Sequence, residues 1–276
     1  MNFIMFTKHI QKYDIPQCVE ALKCAGMDGA DLCVRPGFPV NPDNVKKALP
    51  EAVKAFAAEG MSIPLITTPG DMTDPKKKDA RAVFEACGKS GVKLIKLGYW
   101  HCSAGSDYWK VFKAARRQLE GFAKIAEKTG VKALVHIHSG YSLGLNASAA
   151  MHLVNGLDPK HVGIFADPGH LSVTGEPIPM AFSIIRKYAA CFAFKDILHL
   201  LNFQQGGSIR SMQVVRMGTG YVDWTAVVKT ILDLKLDKHP MSIHCEYSGE
   251  PAENIVELAK LDLRFIKKMF ASAKTD

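Results

Sequence analysis

Histidine and carboxylate side chains stand at spacings that could bind a metal ion or move protons. His136 and His138 are two residues apart in VHIHSG, and His244 and Glu246 are two residues apart in SIHCEY. Residues two apart on a β-strand project from the same face, so each pair points one way if its segment is extended. Imidazole and carboxylate groups bind divalent cations and also act as general bases. The spacing therefore predicts a metal-binding or proton-transferring site.

Two further segments carry groups of the same kind. Asp167 and His170 lie in FADPGH, and Lys195 follows Ala193 by two positions in FAFKDI. An Asp before Pro-Gly is usually a turn residue, and a single histidine is most often an ordinary polar residue. The joint occurrence favours one shared site, because a cluster of imidazoles and carboxylates must be solvated or must hold a metal or a polar ligand.

The elements that must position these side chains alternate along the chain. Amphipathic helices end at a glycine and short apolar, β-branched runs follow, most clearly at Gly26, Gly60, Gly91 and Gly130. Strands are predicted at 2–7, 29–35, 62–68, 92–99, 131–139, 162–167, 191–196 and 241–247. Helices are predicted at about 15–25, 43–59, 75–89, 107–129, 147–156, 177–188, 223–235 and 251–272.

Strict alternation of strands and helices predicts a single-domain (β/α)8 TIM barrel over residues 1–276. A doubly wound open sheet is the competing α/β fold, but no G-x-G-x-x-G follows the first strand. The stretch 197–222 is predicted to be irregular. A loop of that length suits a lid or a contact in a homo-oligomer.

In such a barrel the active site lies where the carboxyl ends of the strands meet. Strands five to eight bring the four segments above to that end. Strands two and four add Arg35, Lys96 and Trp100. Trp100 could stack on a sugar or pack in the barrel rim, and Lys96 could pair with an inward carboxylate instead of a substrate.

Composition excludes several classes of protein. Hydrophobic residues make up 47% and charged residues 22% of the 276 residues, as in globular proteins, and no apolar run is long enough to span a membrane. The start of the chain shows no secretory signal, and seven cysteines without a C-x-x-C pair predict reduced thiols in the cytoplasm. The net charge of +8 is dispersed in short clusters, so we expect no nucleic-acid partner, while small anionic substrates remain compatible.

Five segments, in order, resemble the xylose isomerase-like TIM-barrel superfamily of sugar phosphate isomerases and epimerases, which also contains AP endonuclease family 2. They are LVHIHSG, FADPGH with the later GE at 175–176, FAFKD, MGTGYVDW and SIHCEY. The resemblance implies a divalent metal, often Mn²⁺, that is held by Glu, Asp, His and Glu from strands five to eight.

Carried over by position, Asp167 and Glu246 match two metal ligands and His170 matches a substrate-contacting histidine. Two positions depart from the family pattern, since the strand-five glutamate is His136 here and the strand-seven histidine is Ala193. His136 can still be a ligand, whereas Ala193 cannot. The implied site is His136, Asp167 and Glu246, with Mn²⁺ ahead of Co²⁺, Ni²⁺ or Zn²⁺.

Lys195 or His244 could instead crowd the position that the strand-seven histidine has left. Otherwise the implied site is three-coordinate from protein, with water or substrate completing it. The two departures at His136 and Ala193 also make a metal-free, non-catalytic barrel a rival interpretation.

The resemblance implies an enzyme that acts on a keto sugar through an enediolate, with the metal as Lewis acid and Glu246 as base. His136 takes the place of the second base. The implied substrate-binding residues are His138, His170, Lys195, His244, Arg35, Lys96 and Trp100. Because His136 replaces a glutamate, elimination by a 3-keto-sugar lyase or hydratase is the alternative. An AP endonuclease is a weaker rival, because no inward carboxylate is visible at the ends of strands two to four.

Overall fold

Short apolar runs pair in parallel and close into a barrel in a computed structural model, which describes residues 1–204, 207–247 and 249–274. The strands are β1 (Asn2–Phe6), β2 (Gly29–Cys33), β3 (Ser62–Thr67), β4 (Leu94–Lys96), β5 (Lys132–His136), β6 (Val162–Ala166), β7 (Ala189–Phe194), β8 (Asp196–Gln204), β9 (Gly207–Val215) and β10 (Pro240–Ile243). Strands β1 to β7 follow one another around the barrel, and β10 closes it between β7 and β1. The predicted (β/α)8 fold is confirmed. The domain predicted over 1–276 includes residues 205, 206, 248, 275 and 276, which lie outside the described residues.

The helices surround the barrel, and each predicted helix is present. They are α1 (Ile15–Ala25), α2 (Val45–Ala58), α3 (Lys78–Ser90), α4 (Tyr108–Thr129), α5 (Ala147–Val154), α6 (Pro168–Thr174), α7 (Ile178–Ile185), α8 (Trp224–Asp233) and α9 (Ala252–Ser272). Helices α1, α3 and α4 end at glycines with left-handed backbone, as predicted. Within the described ranges, no helix is long and apolar enough to cross a membrane.

Helix α6 was not predicted, because it has only seven residues and directly follows β6. Asp167 begins it by accepting the backbone N–H of His170 on Oδ1. The short helix α6 therefore fixes the directions of the Asp167 and His170 side chains.

The stretch predicted as irregular, 197–222, is instead largely a β-hairpin, so that prediction is wrong. Strands β8 and β9 pair antiparallel from Asp196 and Val215 to Gln204 and Gly207. DILHLLNFQ lacks a clean apolar–polar alternation, and the hairpin projects outside the barrel, so the hydrophobic pattern gives no strand signal. Gly206-Gly207 is a turn signal in the sequence, although residue 206 lies outside the described residues.

The hairpin leaves large apolar side chains in solvent. Leu201, Phe203 and Met212 are exposed, Phe203 by 83%. Such side chains are typical of surfaces that contact another molecule. The homo-oligomer stays a prediction, and the hairpin is the surface that favours it.

Asp196 anchors the base of the hairpin. Its buried carboxylate accepts hydrogen bonds of 2.9–3.1 Å from the N–H groups of Ile197, Gly218, Gly220 and Val222 and from the indole of Trp224. A Cβ at Gly220 would overlap the Asp196 carboxylate, which explains the second glycine of MGTGYVDW. One side chain therefore holds together the three segments that follow β7.

We expect Asp196→Asn to lower the free energy of unfolding by about 2–4 kcal/mol, because the amide NH₂ would face N–H groups that now donate to a carboxylate. Urea denaturation followed by circular dichroism measures the change. The matched control is Asp233→Asn in the exposed ion pair with Lys229, which should shift stability by less than about 0.5 kcal/mol. Equal effects of the two substitutions would contradict the anchoring role.

Candidate active site

A cavity of about 140 Å³ opens at the carboxyl ends of the barrel strands. Most of the predicted site residues line it, namely Arg35, Lys96, His136, His138, Lys195, His244 and Glu246. Asp167 and His170 are buried directly beside Lys195. The structure therefore brings all of the predicted titratable side chains together.

Trp100 lies outside this cluster. Its ring is buried, and its indole N–H donates to Gln118 Oε1 at 2.7 Å. It packs in the apolar core and does not line the cavity. Of the two roles predicted for Trp100, the structure therefore favours packing over sugar stacking.

Lys195 is at the centre of the cluster. Its Nζ lies 2.9 Å from Glu246 Oε2, 3.1 Å from Asp167 Oδ2 and 2.9 Å from His170 Nε2. Burial alone would lower the pKa of Lys195, but the Asp167 and Glu246 carboxylates raise it above its ordinary value. Three acceptors match the three N–H groups of an ammonium. The site is therefore built around a buried positive charge.

Glu246 is the carboxylate that reaches the cavity. It follows β10, its side chain is 18% exposed, and its Oε1 accepts a 2.8 Å hydrogen bond from Lys8. Burial would raise the pKa of Glu246, but Lys195 and His244 outweigh burial and hold the pKa well below its ordinary value. The group is ionised at neutral pH. Lys8, which lies just after β1, was not predicted, although its place after a strand end was a usable signal.

His136 has both ring nitrogens engaged. Nε2 lies 3.2 Å from Asp167 Oδ2, and Nδ1 lies 3.0 Å from the hydroxyl of Tyr99. Burial, followed by the charges of Lys96 and Lys195, lowers the pKa of His136 well below its ordinary value. A neutral ring then donates from Nε2 to the carboxylate and accepts from Tyr99 at Nδ1. Tyr99, which follows β4, was not predicted as a site residue.

His138, which follows β5, and His170 of α6 pack together. The rings of His138 and His170 are 3.9 Å apart, and Ser139 Oγ lies 2.9 Å from His170 Nδ1. Burial, then the charge of Lys195, lowers the pKa of His138 to about 4. Burial and the charge of Lys195 also lower the pKa of His170, which keeps its ring neutral. Its Nε2 can therefore accept a hydrogen bond from Lys195.

His244 stands above a buried carboxylate. Asp31 lies in the middle of β2 and accepts hydrogen bonds from Thr67 and Ser242, with Oδ2 3.5 Å from His244 Nε2. Burial would lower the pKa of His244, but Asp31 and Glu246 raise it. Asp31 was not predicted as a site residue, because it lies within β2 and not at the end of the strand. A lone charged residue within an apolar strand was the available signal.

Lys96 is a buried amine that makes no hydrogen bond to any residue that the structure describes. It is 1% exposed, it lines the cavity, and its Nζ lies 3.5 Å from the ring centroid of Tyr99. Burial, followed by the charge of Arg35, holds the pKa of Lys96 well below its ordinary value. Half-buried Arg35 donates from Nε to the carbonyl of Thr68. The cavity wall thus carries two basic side chains, Arg35 and Lys96, that no carboxylate of the described residues binds directly.

The side chains predicted as metal ligands are not free to bind a cation. Nζ of Lys195 lies between the carboxylates of Asp167 and Glu246, where a cation shared by both would bind. Within the described ranges, no group of three or more His, Cys, Asp or Glu could hold a metal ion. As arranged, the residues do not fit a resident Mn²⁺, Co²⁺, Ni²⁺ or Zn²⁺ ion. Metal binding by His136, Asp167 and Glu246 stays a prediction.

A (β/α)8 barrel with this cluster at the carboxyl ends of its strands defines the class of the protein. The chain belongs to the xylose isomerase-like TIM barrel family, whose pattern it matches over residues 19–269. This confirms the predicted membership in the superfamily. No curated protein matches the sequence.

Solved structures share the fold over nearly the whole chain. A D-psicose 3-epimerase with D-tagatose from Clostridium cellulolyticum H10 is 13% identical with a TM-score of 0.74, covering 98% of this chain and 99% of that one. The probable 3-DHS dehydratase AsbF from Bacillus anthracis is 13% identical with a TM-score of 0.73, covering 96% and 99%. A xylose isomerase-like TIM barrel protein from Mycobacterium smegmatis in complex with magnesium is 14% identical with a TM-score of 0.67, covering 94% and 88%.

We expect Lys96→Met to raise the free energy of unfolding by about 1–3 kcal/mol, because an apolar side chain of similar length would replace a buried amine that makes no hydrogen bond within the described ranges. Urea denaturation measures the gain. Lys93→Met, at an exposed position before the same strand, is the control and should change stability by less than about 0.5 kcal/mol. A loss of stability in Lys96→Met would show that the amine has a partner.

Proposed function

We propose that the chain is a sugar isomerase/epimerase-like enzyme that removes a proton from the carbon next to the carbonyl of a keto sugar. The observation that carries the proposal is the Glu246 carboxylate, which lies on the cavity wall between the ammonium groups of Lys8 and Lys195. A carboxylate beside fixed positive charge suits this reaction, because the base takes the proton and the cation stabilises the oxyanion that forms. Membership in the family and the likeness to a D-psicose 3-epimerase support a keto sugar as substrate.

Substrate binding would increase the basicity of Glu246. Hydrogen bonds from Lys8 and Lys195 stabilise its charged form in the structure. A sugar oxygen that accepts an N–H group of Lys195 takes that hydrogen bond away from Glu246. The pKa of the carboxylate then rises towards its ordinary value. The base is therefore strengthened when the carbonyl oxygen is in place.

The reaction proceeds through an enediolate. Glu246 takes the proton, the C–H electron pair forms the carbon–carbon double bond, and the carbonyl oxygen becomes an oxyanion. Lys195 and His244 on the cavity wall supply N–H groups to this oxygen. The hydroxyl proton of the neighbouring carbon passes to this oxyanion, and return of the proton from Glu246 to the former carbonyl carbon completes an aldose–ketose isomerisation.

The engaged nitrogens of His136 favour chemistry with one base. A two-base epimerisation needs a second group that delivers a proton to the opposite face of the carbon. His136 takes the place of that base in sequence, but Asp167 and Tyr99 occupy its two ring nitrogens. We propose that His136 positions Tyr99 and Asp167, and that Glu246 performs the proton transfers.

We expect Glu246→Gln to lower the rate of exchange with solvent by at least about a hundredfold, because an amide is not a base. The protein is incubated in D₂O with D-tagatose, D-fructose and related keto sugars, and NMR records deuterium at the carbon next to the carbonyl. Glu250→Gln, at an exposed glutamate four residues later, is the control and should keep full exchange. Full turnover by Glu246→Gln would refute the assignment of the base.

The one-base arrangement also favours a second reaction, elimination from a 3-keto sugar. After Glu246 has taken the proton, the oxyanion re-forms the carbonyl and the electrons of the enediolate double bond form a new double bond to the next carbon. The bond from that carbon to its oxygen substituent breaks, and the substituent takes the proton from Glu246 and leaves as water or an alcohol. The likeness to a probable 3-DHS dehydratase supports this alternative. The two reactions give different products. NMR of the product distinguishes an isomeric sugar without loss of mass from an unsaturated ketone with a new vinyl proton.

A further inference from the structure

Lys195 has the surroundings that a bound cation requires. Its Nζ is coordinated by one carboxylate oxygen from the end of β6, one from the end of β10 and one imidazole nitrogen from α6, all at 2.9–3.1 Å. These acceptors are Asp167, Glu246 and His170. The first two match the metal-binding carboxylates of the family by position. The ammonium therefore binds the same two carboxylates that a divalent ion would bind.

The packing around the aliphatic part of Lys195 allows its Nζ to lie between the carboxylates of Asp167 and Glu246. A Cβ at Gly169 would lie 2.9 Å from Cγ of Lys195 and 2.9 Å from its carbonyl oxygen. Any other residue at 169 would push the lysine away from Asp167. The absence of a side chain at Gly169 is therefore one of the conditions for the buried ammonium.

The small, apolar side chain of Ala193 is the second condition for the buried Lys195 ammonium. It faces the barrel interior two positions before Lys195, and it packs in an apolar cluster with Leu134 and Phe165. It supplies no ligand to a cation. Ala193, which removes a metal ligand, lies in β7, and Lys195, which fills the cation position, is the first residue after that strand.

The charges exclude a second cation from this place. The side chains of Asp167 and Glu246 carry two negative charges, and Lys195 and Lys8 already contact them. A divalent ion between the two carboxylates would lie within a few ångströms of the Lys195 ammonium. Like charges at that distance in a buried site repel strongly. Metal binding and the observed position of Lys195 are mutually exclusive.

The geometry points to a catalytic centre that works without a divalent metal, in which the Lys195 ammonium takes the cation's place between Asp167 and Glu246. Its role towards a substrate oxyanion rests on the proposed function, whereas its occupation of the cation position does not. Lys195 then has two tasks, since it neutralises the buried carboxylates and offers its N–H groups to the substrate oxygen.

Binding of Mn²⁺ tests the proposal without any substrate. Electron paramagnetic resonance records free aqueous Mn²⁺, whose signal falls when the ion binds to the protein. The purified wild-type chain should leave the signal unchanged at micromolar Mn²⁺. Lys195→Met removes the ammonium and keeps the length of the side chain, so it should bind about one Mn²⁺ per chain, at least about a hundredfold more tightly than wild type.

Two further variants locate the ion. Lys195→Met combined with Asp167→Asn should lose the gained Mn²⁺, and Lys195→Met combined with Ala193→His should bind it more tightly still. Lys93→Met, which removes an exposed lysine, should behave as wild type. A folded Lys195→Met protein that gains no Mn²⁺ would overturn the proposal.

Wild type alone also provides a decisive result, even where Lys195→Met fails to fold. Stoichiometric Mn²⁺ in wild-type protein that is lost in Asp167→Asn would show that the metal displaces Lys195, and would overturn the proposal. Wild type without bound Mn²⁺, and with the same melting temperature in Mn²⁺ and in EDTA, supports it. None of these outcomes depends on whether Glu246 is the base, so the proposed function is tested separately.

Discussion

The site depends on one buried ion cluster, in which the Lys195 ammonium holds the carboxylates of Asp167 and Glu246 together. Two carboxylates in a largely buried place repel each other and lose their hydration, so they stay ionised only when a positive charge lies between them. The cluster connects β6, β7 and β10, and through His136 and His170 it also sets which ring nitrogens carry protons. Together with burial, the charge of Lys195 therefore lowers the pKa values of His136, His138 and His170.

Lys195 and Asp196, which follow β7 directly, have different roles. Lys195 projects into the barrel mouth, while Asp196 projects the other way and binds the backbone around Gly218 and Gly220. Successive residues of an extended chain face opposite sides, so one dipeptide supplies both the central charge and the anchor of the hairpin. A shift of this segment by one residue would exchange the two roles and destroy both.

The cavity has more basic than acidic groups on its wall. Lys8, Arg35, Lys96 and Lys195 line it, and Glu246 is the carboxylate among its lining residues in the part of the chain that the structure describes. A site of this kind favours a species that gains negative charge during reaction, as an enediolate does. The amine of Lys96 makes no hydrogen bond to any described residue, so its burial lowers the free energy of unfolding. Such a loss of local stability is typical of residues that bind a substrate or take part in catalysis.

The sequence by itself determined the barrel and the end of the barrel where the chemistry lies. The alternation of strands and helices determines the barrel fold. Polar residues that directly follow an apolar strand lie at the carboxyl ends of the barrel strands. Both features can be read from the local periodicity of the sequence. The pattern could not show that Asp31 faces the interior, that Trp100 packs in the core, or that β8 and β9 form a hairpin. Above all, it could not decide between a metal ion and Lys195 as the partner of Asp167 and Glu246. Only the tertiary structure decided how those side chains are arranged, because that choice depends on distances between side chains that come from three different strands.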